Sequence, residues 1–217
     1  AVEGLMVYCS DCTQKGVYFY TGSAWEQLTV TDNTVTSTSG QVWMDRNLGA
    51  LRVATSSTDA AAYGGLHQWG RNADGHQIRT SLTSQGPVAS GAEGANFITS
   101  TADWLSTQDD ARWGATKTAN DPCPTGYRVP TETELNAERS LFATNNGAGA
   151  YGSALKLTLA GNRLSVNGTL SDVDSNGYYW SSTVTGTNAR RLDFSSSNAS
   201  MDSSLRADGM SVRCIKE

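Results

Sequence analysis

The chain has 217 residues, 38% of them hydrophobic and 17% charged, with a net charge of −5 and a pI near 5.0. Six Trp and eight Tyr exclude a disordered chain, since such chains are poor in residues able to build a core. The acidic balance shows no basic stripe of the kind a non-specific nucleic-acid binder needs, no polybasic membrane signal and no apolar run long enough to span a bilayer.

Residues 1–30 read as short strands, GLMVY, KGVYFY, TGSAW and EQLTV, separated by turn signals. The opening AVEGLMVY has no signal-peptide pattern and reads as a mature or trimmed start. VYFY followed by TGSAW predicts a hairpin, with Gly22 free to adopt the turn conformation. The polar run TDNTVTSTSG follows, so a small β-hairpin appendage is expected at 1–38 and the main domain at 39–217.

From residue 41 the chain is aromatic and Gly-rich, with strands expected at 41–44 and around 66–70. Residues 80–120 read as loops anchored in the core by Trp104 and Trp113. Residues 131–143 form the clearest helix: Thr131 is a good N-cap and Glu134 completes a capping box. Leu135, Leu141 and Phe142 are expected to face the core. Residues 153–170 alternate around Gly161-Asn162 and predict another hairpin.

The last forty or so residues carry most of the information. In 189–194, Leu192 and Phe194 share one face of a strand and Arg191 and Asp193 the other. A second strand is expected at 210–215, with Met210, Val212 and Cys214 on one face. Between them lies SSSNASMDSS, which taken alone reads as a flexible loop.

The four cysteines, Cys9, Cys12, Cys123 and Cys214, favour disulfides and an oxidising compartment. Three pairings are open, of which Cys9–Cys12 with Cys123–Cys214 is the simplest. Closing a loop of roughly 90 residues stabilises a fold by about 4 kcal/mol on the chain-entropy model. Zinc is the weaker alternative, because Cys9-x-x-Cys12 has no second close pair.

Several segments carry a resemblance: WMDRNLGA (43–50), YGGLHQWGR (63–71), DGHQIR (74–79), NDPCPTGYRVPTETEL (120–135), YYWSST (178–183) and SVRCI (211–215). Together they resemble the Fibrobacter succinogenes major paralogous domain, which belongs with the C-type-lectin-like folds, over roughly residues 41–217. They also resemble the variable proteins of bacterial and phage diversity-generating retroelements. The N-terminal piece is similar to small units of bacterial surface proteins and phage tail fibres. The resemblance implies an α+β fold of short twisted antiparallel sheets with one or two helices. It also implies a core containing Trp43, Trp69 and Trp180, and Asp45 and Arg46 in half-buried polar contacts. A Cys123–Cys214 bridge would tie the segment before the helix to the last strand, with Pro122, Pro124 and Pro130 fixing the turns.

For retroelement proteins the resemblance further implies diversification of the C-terminal segment at template adenines. Asn codons of the AAC or AAT type can become Ser, Asp, Tyr, Gly, Arg, Leu or Ala, among others, but never Met, Trp, Lys, Gln or Glu. The candidate variable positions are Arg191, Asp193, Ser195, Ser196, Asn198, Ser200, Asp202, Ser203, Ser204, Leu205 and Asp208, all reachable from such codons. Met201 and Met210 are not reachable and are assigned to the framework. Tyr178, Tyr179, Arg191 and Arg206 are the expected anchors of a contact surface, since aromatics and Arg dominate interface energetics.

The resulting expectation is a ligand-binding protein, an adhesin or receptor-binding module. It would be displayed at a cell surface (lipid-anchored in one version) or on a phage tail, and it would meet a protein or glycan on another cell or host. No cofactor is expected. Two alternatives are an oxidase resembling formylglycine-generating enzymes, which needs reactive cysteines close together, and a structural surface module with no diversified ligand. His67 and His76, the only histidines, read as packed side chains, because their spacing matches no metal motif. Asp172, Asp174 and Asn176 are spaced like calcium-loop ligands but lack a following Glu, so a polar turn is preferred there over structural calcium.

Overall fold

The computed structural model describes residues 6–9, 16–27 and 33–217. It forms two compact units, Ala1–Asn33 and Thr34–Glu217. In the first, β1 (Met6–Cys9), β2 (Gly16–Tyr20) and β3 (Trp25–Gln27) make an antiparallel sheet in that order. The turn between β2 and β3 contains Gly22 at φ +93°, and TGSA is that turn rather than a strand. Cys12 and the Cys9 side chain lie outside the described residues, and so does the expected Cys9–Cys12 pairing.

The second unit begins inside the polar run TDNTVTSTSG, ahead of the boundary expected at 38, because β4 (Thr34–Thr36) pairs with β5 (Val42–Met44). It continues with β6 (His67–Gln68), β7 (Thr83–Gln85), β8 (Phe97–Thr99) and β9 (Tyr127–Arg128). Helices α1 (Glu132–Arg139) and α2 (Gly147–Gly152) follow. The chain ends with β10 (Asn162–Arg163), β11 (Leu170–Ser171), β12 (Gly177–Thr185), β13 (Asn188–Phe194), β14 (Ala199–Leu205), β15 (Gly209–Met210) and β16 (Ile215–Lys216). Three small sheets run β11-β10-β15-β6, β12-β13-β14 and β4-β5-β16-β9, and β7 and β8 form a parallel pair. The class is α+β, mostly small antiparallel sheets with two helices.

Helix α1 forms where its local signals lie. Thr131 accepts from the Glu134 amide at 3.3 Å while Glu134 accepts from the Thr131 amide at 2.7 Å, satisfying two donors that a helix start leaves open. Arg128 holds the same carboxylate at 2.6 Å. The helix stops at Arg139, with Ser140 as its C-cap. Leu141 therefore falls beyond it and is exposed, contrary to expectation, whereas Leu135 is fully buried and Phe142 packs against the core.

Two further expectations are corrected. The hairpin placed at Gly161-Asn162 instead reverses over residues 164–169, because Asn162–Arg163 is the strand that pairs with Leu170–Ser171. Arg163 fixes that longer turn by donating to the Gly168 carbonyl at 2.7 Å. The single strand expected at 210–215 divides between two sheets as β15 and β16. Its alternation survives the division: Met210, Val212 and Cys214 join one apolar cluster and Ile215 another.

That first cluster contains Trp69, Trp113, Trp180 and the Cys123–Cys214 disulfide, whose Cα atoms are 5.9 Å apart. The other contains Trp43, Leu135, Tyr179, Leu192 and Phe194. Gly177 makes room for the second, since a Cβ there would lie 2.2 Å from the Phe194 ring. Asp45 and Arg46 pair with each other at 2.7 Å, half-buried. Because the disulfide spans 91 residues, replacing both cysteines by Ser should lower the unfolding free energy by about 4 kcal/mol in urea titrations.

Candidate functional site

The β12-β13-β14 sheet is built from the segment richest in candidate residues. Its register aligns Tyr178, Asp193 and Ser200 in one row and Trp180, Arg191 and Asp202 in the next. Side chains in a row share a face. The opposite face carries Tyr179, Leu192, Phe194, Ala199 and Met201, all packed in the core cluster that includes Leu135 of α1. The face bearing Arg191 is covered at β12, where Tyr178 and Trp180 enter the tryptophan cluster, and is more open at β13 and β14.

The serine-rich run is thus not a loose loop. Residues 199–205 form β14, paired with β13 from Asn188↔Leu205 to Phe194↔Ala199. The preceding turn, 195–198, is held from outside. The Ser195 carbonyl accepts from the Gly147 amide at 2.7 Å, the Ser196 carbonyl from Asn146 at 3.2 Å, and the Asn198 side chain from Asn145 at 3.1 Å. Asn145 and Asn146 were absent from the sequence-based candidates. Their signal is the turn-forming NNG at 145–147, which also caps α2.

Arg191 organises the open face. Its guanidinium lies over the Tyr178 ring at 4.7 Å and reaches Asp193 at 3.3 Å and Asp202 at 3.6 Å. Ser200 donates to the other Asp193 oxygen at 2.9 Å. Asn176, Asp193, Phe194, Ser195, Asn198 and Ser200 line a recess of about 130 Å³ beside this network. Asn176, read from the sequence only as part of a calcium-type spacing, is a third residue missed as a contact candidate, visible only once β12 is folded beside β13.

The predicted contact residues separate into three groups. Ser196, Asn198, Asp202 and Leu205 are exposed, while Arg191, Asp193, Ser195, Ser200, Ser203, Ser204 and Asp208 are half-buried. Tyr178, Tyr179 and Arg206 are corrected: at 8%, 0% and 1% exposure they are buried and present no surface to a partner. Tyr179 donates to the Thr158 carbonyl, and Asn47 donates to the Tyr179 hydroxyl at 3.0 Å. The Tyr178 hydroxyl donates to Asp172 at 3.0 Å, and burial together with that carboxylate raises its pKa. Arg206 stacks on Trp69 and pairs with Asp110 at 2.6 Å, joining the 103–113 loops to the sheet end. Asp208 serves a turn, accepting from the Ser165 amide at 3.0 Å, and burial raises its pKa.

Asp172 and Asp174 each accept from a tyrosine hydroxyl, Tyr178 and Tyr63 respectively. Among the described residues, no cluster of three or more His, Cys, Asp or Glu is arranged to hold a metal. Cys123 and Cys214 are joined to each other and buried. No helix among the described residues is long and apolar enough to cross a membrane. Compared with known proteins, the chain matches no family model, no curated protein and no solved structure.

His67 lies on β6 and His76 in the irregular segment after it. Trp180 donates to the His67 carbonyl at 2.7 Å, and Met210 pairs with His67 across β15. His76 accepts from the Gln68 amide at 3.0 Å and contacts Asp74 at 2.6 Å through Nδ1, so the network places its proton on Nδ1. Neither ring nitrogen of His67 has a hydrogen-bond partner among the described residues. Burial, reinforced by His76, lowers His67 from 6.5 to about 3. Burial outweighs Asp74 to lower His76 to about 4.

Two outcomes follow. Leu192→Ala should cost about 2–5 kcal/mol in urea unfolding, whereas Asp202→Ser and Ser196→Ala should stay within about 0.5 kcal/mol of wild type. The folded state takes up histidine protons later than the unfolded chain, so the stabilisation from neutral His67 and His76 is complete above pH 6.5 and lost as pH falls through about 4 for His76 and about 3 for His67. The urea midpoint should fall across that window, and His67→Gln should flatten the fall.

Proposed function

We infer that the Thr34–Glu217 unit is a C-type-lectin-like ligand-binding domain of the retroelement-diversified kind. Its contact surface is the open face of β13 and β14 together with the 195–198 turn. The observation that carries this reading is the division of residues within one ordered strand pair. Leu192, Phe194, Ala199 and Met201 fill the core, while Asp193, Ser196, Asn198, Ser200 and Asp202 occupy the outward face and turn.

Backbone pairing holds β14 whatever its outward side chains are, so those side chains can change while the scaffold persists. Met201 and Met210, the two methionines that diversified Asn codons cannot produce, both pack inward. Small hydroxyls and amides around a stacked arginine offer an adaptable polar surface, as in antibody paratopes. The buried disulfide suits an oxidising location outside the cell or on a phage particle. The ligand is a protein or glycan on another surface, met without chemical turnover.

A library randomised at Asp193, Ser196, Asn198, Ser200, Asp202 and Ser204 tests this. Most members should melt near wild type, and selection against unrelated proteins and glycans should yield binders that lose binding when these positions are reverted. Widespread unfolding of the library, or binders that map to other residues, would overturn the reading.

A further inference from the structure

A second recess shares no residue with the β13–β14 surface. It encloses about 330 Å³ and is lined chiefly by Gly49, Gly64, Gly65, Gln77, Ile78 and Arg79. Its floor is bare backbone: Gly64 has φ +68°, and a Cβ there would lie 2.5 Å from the Leu48 carbonyl oxygen. Glycine is required at that position by the left-handed φ and by the chain's packing on its own backbone, so no side chain rises from this part of the lining. Ile78, 56% exposed, supplies an apolar wall.

Arg79 supplies the charge. Its guanidinium lies 5.4 Å over the Tyr63 ring, and Nη2 donates to the Ala160 carbonyl at 2.8 Å. Nη1 is buried and has no hydrogen-bond partner among the described residues. Every other arginine among the described residues has at least two contacts to acceptor atoms, whether carboxylate, carbonyl, amide or hydroxyl oxygens. No carboxylate forms an ion pair with Arg79, and nearby Asp174 is engaged by the Tyr63 hydroxyl. A half-buried guanidinium with one hydrogen-bond acceptor and no direct ion pair is incompletely satisfied, because Asp174 acts on it only through space.

We propose that this recess binds a small monocarboxylate with a short branched apolar tail, its carboxylate against Arg79 and its tail against Ile78 and the glycine floor. One cation matches one negative charge, and no second lysine or arginine lines the recess to balance a dianion such as phosphate. A mostly apolar lining with one fixed charge suits an amphiphilic acid better than a sugar.

The test uses isovalerate, with isovaleramide as its neutral isostere, titrated into the whole chain while backbone amides are followed by NMR. Isovalerate should give saturable shifts at Gly64, Gly65 and Ile78, and isovaleramide should bind roughly tenfold more weakly. Arg79→Gln should remove the difference between the two. Equal binding of acid and amide, an Arg79→Gln variant indistinguishable from wild type, or no saturable shift at those amides would each overturn the proposal. Should Arg79→Gln fail to fold, the acid–amide comparison on the wild-type chain decides alone. Acetylglycylleucine, titrated in parallel, presents the same carboxylate at a peptide end. Tighter binding than isovalerate assigns the recess to chain termini and weaker binding assigns it to free acids, both within the proposal. The two surfaces share no residue, so failure here would leave the β13–β14 reading standing.

Discussion

A domain with this much irregular backbone must find hydrogen-bond donors for carbonyls that no helix or sheet satisfies, and here buried guanidinium groups meet much of that need. Arg71 is fully buried and donates to Gln68, Asp74 and the Gly94 and Asn96 carbonyls. Arg163 holds the Gly168 and Ser81 carbonyls, and Arg213 holds the Leu155 carbonyl and Asn47. Burial lowers Arg213 to about 10, still well above neutrality, so it stays charged. Arg71 and Arg112 lie over Trp104, at 5.4 and 4.8 Å, and Arg206 lies over Trp69. The indoles complete the pattern: Trp69, Trp104, Trp113 and Trp180 each donate to a backbone carbonyl. Loops, rather than long regular elements, are what these charges and rings fasten together. Removing one such arginine would leave several carbonyls and an aromatic face without partners at once.

What the sequence reveals follows from how local each cause is. Helix α1 is legible because Thr131 and Glu134 satisfy each other within four residues. The Leu192–Phe194 alternation is legible because a strand with one buried face writes its period directly. β14 is not legible, since six serines in ten residues carry little strand preference of their own. It becomes a strand through pairing with β13 and through Asn145 and Asn146, which hold the turn from fifty residues away. Tyr178 and Tyr179 mislead for a related reason. Adjacent residues point to opposite faces, and only tertiary packing reveals that both faces of β12 are covered. Arg206 reads as a surface anchor until Trp69 and Asp110 are brought against it.

The same packing narrows the candidate surface while making it more definite. Losing Tyr178, Tyr179 and Arg206 removes the large anchors, and what remains is small and polar around Arg191. Tyr178 still acts there indirectly, because its ring fixes the plane of the Arg191 guanidinium from below. Arg190, one residue earlier, points the other way and ties β13 to α1 through Glu132 at 2.6 Å. Consecutive arginines thus divide between shaping the open face and securing the strand beneath it.

The Cys123–Cys214 bridge has a mechanical consequence. It joins two points of the chain covalently, and everything from α1 through β15, including the whole candidate surface, lies in the loop it closes. Tension applied along the chain from its first residues to the segment after Cys214 would pass from Cys123 directly across the sulfurs. The loop would carry none of it along its backbone. A force applied between the two ends of the chain would leave the β13–β14 face unstretched, because the load path bypasses it.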